Sequence, residues 1–361
     1  MESKEVTSVT KIGVLGVGAV GSYYGAFAAK AGEDITLIDM WPEHVEHMKR
    51  NGLRASGSHG DFTTPVRAIH LNEVQRLVQD PFDVVFLSVK SYDTTWAATF
   101  IAPYVKPSGC VVSAQNCMND DLLASIVGQQ RAVGCVVSGI TVALWEPGHV
   151  TRGGDPSSYR DHIVFRVGEH HGRITDRVRE IVRILDHAEG AKATTNLWGE
   201  RWSKLATNCM SNAMSGMSTL GNIGLTQDPR ARYLRIHAGK EVVRVAQAAG
   251  ASVEPISGID QDVWADADDG AKFEELDAKL AQGRHGVQEW FPSMYQDLKK
   301  GRKTEIDLMN GHVVRKGREL GIATPYNAAT VATLKDVEEK RRKASPANVE
   351  RAIKMAEGTR R

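Results

Sequence analysis

Residues 11–39 read KIGVLGVGAVGSYYGAFAAKAGEDITLID, and three signals in this stretch agree on one fold. Ile12, Gly13, Val14 and Leu15 form a short apolar run of the kind found in buried strands. Gly16, Val17, Gly18, Ala19, Val20 and Gly21 make a G-x-G-x-x-G turn, followed by a small-residue segment through Ala29. Ile35 to Ile38 is a second apolar strand, closed by Asp39. Gly16 permits the tight strand-to-helix turn, Gly18 lets the backbone approach a pyrophosphate, and Gly21 lets the helix pack on the strand. The N–H groups at the helix start favour an anion. A glycine pattern alone is weak evidence in a chain with 34 glycines. Here it follows a strand, opens a helix and is answered by an acid at the end of the next strand. The first domain is read as dinucleotide-binding.

Asp39 refines that reading. A carboxylate there accepts hydrogen bonds from the adenosine ribose hydroxyls and repels a 2′-phosphate. No Arg or Lys occurs among Met40, Trp41, Pro42 and Glu43, where a 2′-phosphate clamp belongs. NAD is therefore expected over NADP.

A length of 361 residues allows two domains. The formal charge of +1 gives no footprint for nucleic acid or an acidic membrane surface. Cys110, Cys117, Cys135 and Cys209 show no C-x-x-C spacing and too few neighbouring histidines for zinc, so no metal site is expected. The N-terminal residues are polar and no stretch has the length and apolarity of a membrane span. The cytoplasm is the expected compartment.

Along the chain, residues 43–51 read as a helix ending at Gly52, and residues 53–71 as a hairpin or irregular strands. The continuous apolar run of residues 84–89 predicts a strand covered on both faces, and a helical pattern spans 94–105. Residues 110–114 form the next strand, and alternation continues through 142. Lys90 and Asn116 follow strand ends, where ligands sit in a doubly wound sheet. A turn at 145–148 precedes residues 149–168, read as strands extending the sheet, and residues 174–187 form a helix. Strand signals then vanish. The expected division is 1–194 for a doubly wound Rossmann domain, 195–345 for a helical substrate and dimerisation domain, and 346–361 for a charged tail. The acidic segment 262–275 reads as a helical excursion or lid, and the charges after Asp336 as a solvated helix end.

Two regions carry candidate chemistry. Lys204, Asn208 and Asn212 are spaced by four and line one side of a helix over 198–217. Leu205, Ala206, Cys209, Met210, Ala213 and Met214 mark that helix as largely buried. Such a stripe can simply face water, but asparagine is a poor choice for an exposed helix face. Polar groups aimed at a ligand are the other reading. In the second region Ser293 starts a helical turn, Gly301 breaks it, and Thr304 with Asp307 three residues on reads as the cap of a new helix. Glu305 then falls in the first turn, where the helix dipole alone would favour an acid.

Together these pieces resemble the ketopantoate reductase family, the two-domain 2-dehydropantoate 2-reductases. The resemblance rests on GVGAVG at 16–21, SVKSYD at 88–93, AQN at 114–116, RWSKLATNCMSNAMS at 201–215 and SMYQDLKKGRKTEIDLMNG at 293–311. It implies an α/β fold: an N-terminal Rossmann sheet plus a C-terminal all-α domain like that of 6-phosphogluconate dehydrogenase. It implies Lys204 as proton donor, with Asn208, Asn212, Asn222 and Ser293 lining the substrate site. Lys90, Asn116, Ile140 and Glu305 are then expected along the cofactor, with Asn116 also reaching substrate and Glu305 close to the reacting centre. A homodimer is expected by the same analogy.

Those residue types suit carbonyl reduction. Hydride arriving at a ketone carbon leaves negative charge on oxygen, and an ammonium both stabilises that charge and delivers a proton. Three features depart from the family pattern. The family typically uses NADPH, with a basic residue where this chain has Asp39. Trp290, Phe291 and Pro292 replace polar positions before the family's serine, Trp290 standing for an asparagine that contacts pantoate. The segment 262–288 is also long. The expected activity is hydride transfer between a nicotinamide cofactor and a 2-oxo acid or related ketone. The alternatives are an NAD-dependent catabolic dehydrogenase for a bulkier hydroxy compound, an opine-type dehydrogenase, and a non-catalytic NAD-binding sensor.

Overall fold

Alternate residues of a buried strand face opposite sides of a sheet, so a strand covered on both faces feeds two cores. The computed structural model shows this arrangement; it describes residues 9–154, 162–282 and 289–359. The polar residues before 9, residues 155–161 of the expected strand region 149–168, the end of the long segment 262–288 at 283–288 and the last two residues of the expected tail lie outside the described residues. The chain divides into two units, Met1–Leu197 and Trp198–Arg361.

The first unit begins with β1 (Lys11–Leu15), α1 (Ala19–Lys30), β2 (Asp34–Asp39) and α2 (Pro42–Asn51). Three short strands follow, β3 (Leu53–Gly57), β4 (Phe62–Thr64) and β5 (Arg67–His70). The alternation then resumes with β6 (Phe82–Leu87), α3 (Thr94–Ile101), β7 (Val105–Ser113), α4 (Asp120–Val127) and β8 (Ala132–Val137). After β9 (Thr141–Glu146) and β10 (His149–Gly153) come β11 (Ile163–Gly168), α5 (Asp176–Asp186) and β12 (Gly190–Ala193).

Eight strands form the main sheet in the order β12-β11-β8-β7-β6-β1-β2-β5. It is parallel except where β11 runs against β8. Val14, Val84, Phe86 and Val112 join one core with α1 and α5 residues such as Tyr24 and Ile181. Their neighbours Leu15, Val85, Leu87 and Val111 join the other, with Ala98 of α3 and Leu123 of α4.

One part of the expected order is corrected. β10, the first strand of the expected region 149–168, does not extend the main sheet; with β9 it pairs with β3 and β4 in a separate sheet of order β4-β3-β10-β9. Val150 and Leu144 of this hairpin are buried in the core that contains α1, so its apolar face covers that helix. Among the described residues of 149–168, only β11 extends the main sheet. β12, whose GAKA sequence carries no strand signal, is added at its edge by parallel pairing with β11.

The second unit holds α6 (Leu197–Ser218), α7 (Asn222–Gln227), α8 (Pro229–Ala248), α9 (Gln261–Ala265) and α10 (Gly270–Ala281). They are followed by α11 (Ser293–Lys299), α12 (Asn310–Leu320), α13 (Pro325–Glu338) and α14 (Ala347–Gly358). The acidic segment 262–275 is largely helical, in α9 and α10, and it and the residues just after it are packed down. Trp264 and Leu276 are buried, and ion pairs Asp277–Arg232 (2.7 Å) and Asp268–Lys240 (2.6 Å) fasten it to α8.

Two further expectations fail here. Thr304 does not cap a helix: α12 starts six residues later, and the Thr304 N–H donates to Glu338 Oε1 (2.5 Å). The Glu305 carbonyl accepts from the N–H groups of Leu308 and Met309 (both 3.0 Å), so Glu305 opens a buried turn instead of a helix. Within the expected tail of 346–361, Ala347–Gly358 form the helix α14, with Val349, Ala352 and Ala356 buried. Apolar residues at that spacing make one face of a helix, which the local charge density had masked.

Two half-buried histidines make stability depend on acid. Burial pushes His312 down to about 4, and burial likewise pushes His59 to about 4, although Glu189 at 3.4 Å pulls it upward. A histidine depressed in the fold takes up its proton first in the unfolded chain. Its contribution is complete above the unfolded value near 6.5 and is lost as pH falls toward 4. The urea midpoint is expected to drop between pH 6.5 and 4, and His312→Gln to flatten that drop in the second unit.

Candidate functional site

The site of the first unit follows from strand order. The chain leaves β1 for β2 on one side and returns to β6 on the other, so the crevice lies at the carboxyl ends of β1 and β6. The glycine loop emerges there. Gly16 has φ 91°, and a Cβ on it would lie 2.6 Å from the Val89 nitrogen. A Cβ on Gly21 would lie 2.4 Å from the Gly16 oxygen, whereas one on exposed Gly18 would meet nothing within 4 Å. Packing demands the first and third glycines; the second borders open space that a ligand can enter. Ala19, Val20 and Gly21 start α1, so their N–H groups have no carbonyl partner within the helix. No acid stands in that first turn to compete with an anion. These residues fit a dinucleotide.

Asp39 ends β2 beside this loop. Its carboxylate accepts from the Val17 N–H (2.6 Å) through Oδ2 and from the Trp41 N–H (2.9 Å) through Oδ1. Each oxygen keeps a second acceptor direction. Lys90 and Asn116 follow β6 and β7, and their loops are braced together. The Asn116 carbonyl accepts from Ser91 Oγ (3.0 Å) and Asn119 Nδ2 (2.7 Å), and Gln115 Nε2 donates to the Val89 carbonyl (3.0 Å). Ile140, after β8, is half-buried against the α1-side core. The structure thus brings the glycine loop, Asp39, Lys90, Asn116 and Ile140 to one edge of one sheet.

In the second unit Lys204, Asn208 and Asn212 stand on successive turns of α6. Asn208 and Asn212 are buried, and Lys204 is half-buried. Asn212 Oδ1 accepts from the Ser293 N–H (3.0 Å) and from Ser293 Oγ (2.8 Å). Asn222 Oδ1 accepts from the Trp290 N–H (2.7 Å), and the Asn222 N–H donates to the Trp290 carbonyl (3.1 Å). Loop 289–293 is therefore tied to α6 and to α7. In both asparagines the oxygen is committed to that loop, so the amide NH₂ is the end that can donate to a ligand. Glu305 is buried in its turn.

A buried brace that sequence patterns missed holds α6 in place. Asn310 Nδ2 donates to the Cys209 carbonyl (3.2 Å) and to Asn327 Oδ1 (2.9 Å). Asn327 Nδ2 donates to Glu241 Oε2 (2.7 Å), and Glu241 also accepts the N–H groups of Tyr326 (2.9 Å) and Asn327 (2.8 Å). Burial pushes the Glu241 carboxyl up to about 7, against the pull of those N–H donors. No spacing rule singles out Asn310, the first residue of α12, or Asn327, in the first turn of α13, beforehand.

A glycine-loop sheet joined to an all-helical unit defines a two-domain nicotinamide-dependent oxidoreductase. The family model described as ketopantoate reductase PanE/ApbA matches residues 12–160, and its C-terminal counterpart matches residues 196–338. The chain belongs to the ketopantoate reductase family. A 2-dehydropantoate 2-reductase of Archaeoglobus fulgidus is 27% identical over 335 residues, covering 91% of this chain and 98% of that one. A PanE/ApbA family ketopantoate reductase from Ralstonia eutropha JMP134 superposes with a TM-score of 0.74 at 28% identity, covering 92% and 99%. D-mandelate dehydrogenase, solved with NADH and anilino(oxo)acetate, shares the fold with a TM-score of 0.75 at 22% identity, covering 92% and 99%. Among the described residues no helix is long and apolar enough to cross a membrane.

Proposed function

We propose that this chain is an NAD-preferring reductase of a 2-oxo acid bulkier than ketopantoate, working reversibly with the matching secondary alcohol. The observation that carries the cofactor preference is Asp39, whose carboxylate is held at the end of β2 by two backbone N–H groups. A fixed negative charge there accepts ribose hydroxyls and repels a 2′-phosphate. The sequence offers no cation at 40–43 to offset it. A bulkier substrate is supported by Trp290 and Phe291 next to Ser293, where Phe291 stacks on Tyr295 with ring centroids 4.2 Å apart. The same fold accommodates NADH with anilino(oxo)acetate in D-mandelate dehydrogenase.

The nicotinamide supplies the hydride when bound. Gly18 and the start of α1 bind its pyrophosphate, and Asp39 the ribose; Lys90, Asn116 and Ile140 line the rest of that edge. Lys204 stabilises the charge developing on the substrate oxygen and donates a proton to it. In the oxidative direction Lys204 must first lose that proton. The amide groups of Asn208, Asn212 and Asn222 hold the substrate's carboxylate and hydroxyls without adding charge. Ser293 fixes Asn212, and Glu305 acts next to the reacting centre. A cytoplasmic homodimer completes the proposal, with light scattering as the check on assembly.

A panel of 2-oxo acids with NADH and NADPH, followed at the nicotinamide absorbance, tests this. NADH is expected to exceed NADPH in kcat/KM by about tenfold or more, consistent with one repulsive charge. Efficient turnover of ketopantoate with NADPH and poor turnover with NADH would refute it. Asp39→Asn keeps an acceptor for the backbone and removes the charge. It is expected to lower the KM for NADPH about tenfold while weakening NADH.

A further inference from the structure

The glycine loop has a support outside its own motif. Val17 is the first variable residue of the loop, and both of its peptide groups are held. Its N–H donates to Asp39 Oδ2 (2.6 Å), and its carbonyl accepts from Ser22 Oγ (2.9 Å). Ser22 Oγ in turn lies 3.4 Å from His44 Nε2, and the Gly148 N–H donates to His44 Nδ1 (2.9 Å). Ser22 and His44 are both fully buried. A backbone N–H can only donate, so His44 Nδ1 is the bare nitrogen and Nε2 carries the hydrogen. The Ser22 hydroxyl spends its hydrogen on Val17, which leaves its lone pair for His44 Nε2–H. Every donor along Gly148, His44, Ser22 and Val17 points the same way.

We propose that His44 is a positioning residue for the dinucleotide, aiming the Gly18 N–H at the pyrophosphate through Ser22. The reason is the planarity of the peptide bond. The Val17 carbonyl and the Gly18 N–H belong to one trans peptide and point in opposite directions. Pulling the carbonyl inward onto Ser22 turns the N–H away from that buried support, and Gly18 itself is exposed, with nothing within 4 Å of a Cβ built on it. Without that pull the Val17–Gly18 peptide can rotate, and the loop loses a donor to the anion. Burial lowers the His44 pKa, which keeps the ring in the neutral form this chain of donors requires. Trp41 stacks on the ring with centroids 5.3 Å apart, so the turn after β2 and the loop after β1 share one buried support.

This inference rests on the dinucleotide reading, and its test separates the two. Dissociation constants are measured for NADH, for ADP-ribose, which carries the pyrophosphate, and by competition for adenosine, which does not. The proteins are the wild type, Ser22→Ala, His44→Phe and the double variant. NADH and ADP-ribose are expected to bind about tenfold more weakly to each single variant, the value of one hydrogen bond to a charged group. The double variant is expected to lose little more, because both residues act on one carbonyl. Adenosine binding stays unchanged. Unaltered NADH affinity in Ser22→Ala, equal weakening of all three ligands, or additive losses in the double variant would each overturn the proposal. Ser22→Ala removes one atom and keeps the result readable where His44→Phe fails to fold. A wild type that binds neither NADH nor NADPH would overturn the functional reading first.

Discussion

Lys204→Ala is expected to lower kcat by about three orders of magnitude while leaving the dissociation constant of NADH within about twofold. Positioned proton donors contribute on the order of 10²–10⁴ in rate, and a charge facing a developing alkoxide adds to that. The variant should fold. Lys204 lies inside the 22-residue helix α6, and alanine is the best helix former for such a position. The neighbours Leu205 and Ala206, which make the buried contacts, are untouched. Lys204→Met, which keeps the length of the side chain and removes its charge, should lose turnover equally. The experiment also decides between an enzyme and a nucleotide sensor. A sensor would show no turnover to lose and would keep its ligand response in the variant. A kcat within about tenfold of wild type would remove Lys204 from the mechanism, since no proton donor is that dispensable.

Deleting residues 346–361 is expected to lower the melting temperature of the second unit by about 10–20 °C. The family model stops at residue 338, so α14 lies beyond it. Val349, Ala352 and Ala356 are buried, and Asn348 Nδ2 donates to the carbonyls of Met217 (2.8 Å) and Lys343 (3.0 Å). The Met217 carbonyl also accepts from the Ser345 N–H (3.0 Å), so the approach to α14 satisfies the last turn of α6. Arg351 pairs with Asp336 (2.8 Å), and the Tyr233 hydroxyl donates to Glu357 (3.0 Å). Apolar burial of this extent with one buried and one partly buried hydrogen bond amounts to roughly 5 kcal/mol. Each kcal/mol shifts the melting temperature by about 2–4 °C in a unit of this size. Calorimetry on the truncated chain checks it, and a shift below about 2 °C would show α14 to be an appendage. The last turn of α6 would then need another explanation for its order.

Much of the cofactor edge was legible in the chain because its signals are local. Gly16, Gly18 and Gly21 work through backbone geometry over six residues, and Asp39 is placed by the strand that follows one helix later. The stripe of Lys204, Asn208 and Asn212 follows from the helical repeat alone, and so does its burial among methionines and alanines. Residue types and periodicity report what a segment wants to bury and where it must turn. They do not report what it will be buried against.

The sequence by itself determined a glycine-loop sheet and a helical second half, and it put forward the side chains proposed for carbonyl reduction. Tertiary structure alone decided which strands share a sheet: His149 pairs with Arg54 across ninety-five residues, and no local pattern distinguishes that from extending the main sheet. It also decided that Asn212 is held by Ser293, eighty-one residues away, and that Ser22 and His44 stand behind Val17. Thr304 read as a cap and proved to meet Glu338 instead. The physical reason is common to all four. A propensity is a property of neighbours along the chain, whereas the partner of a buried polar group or a strand edge is chosen by which packing leaves fewest donors and acceptors unpaired.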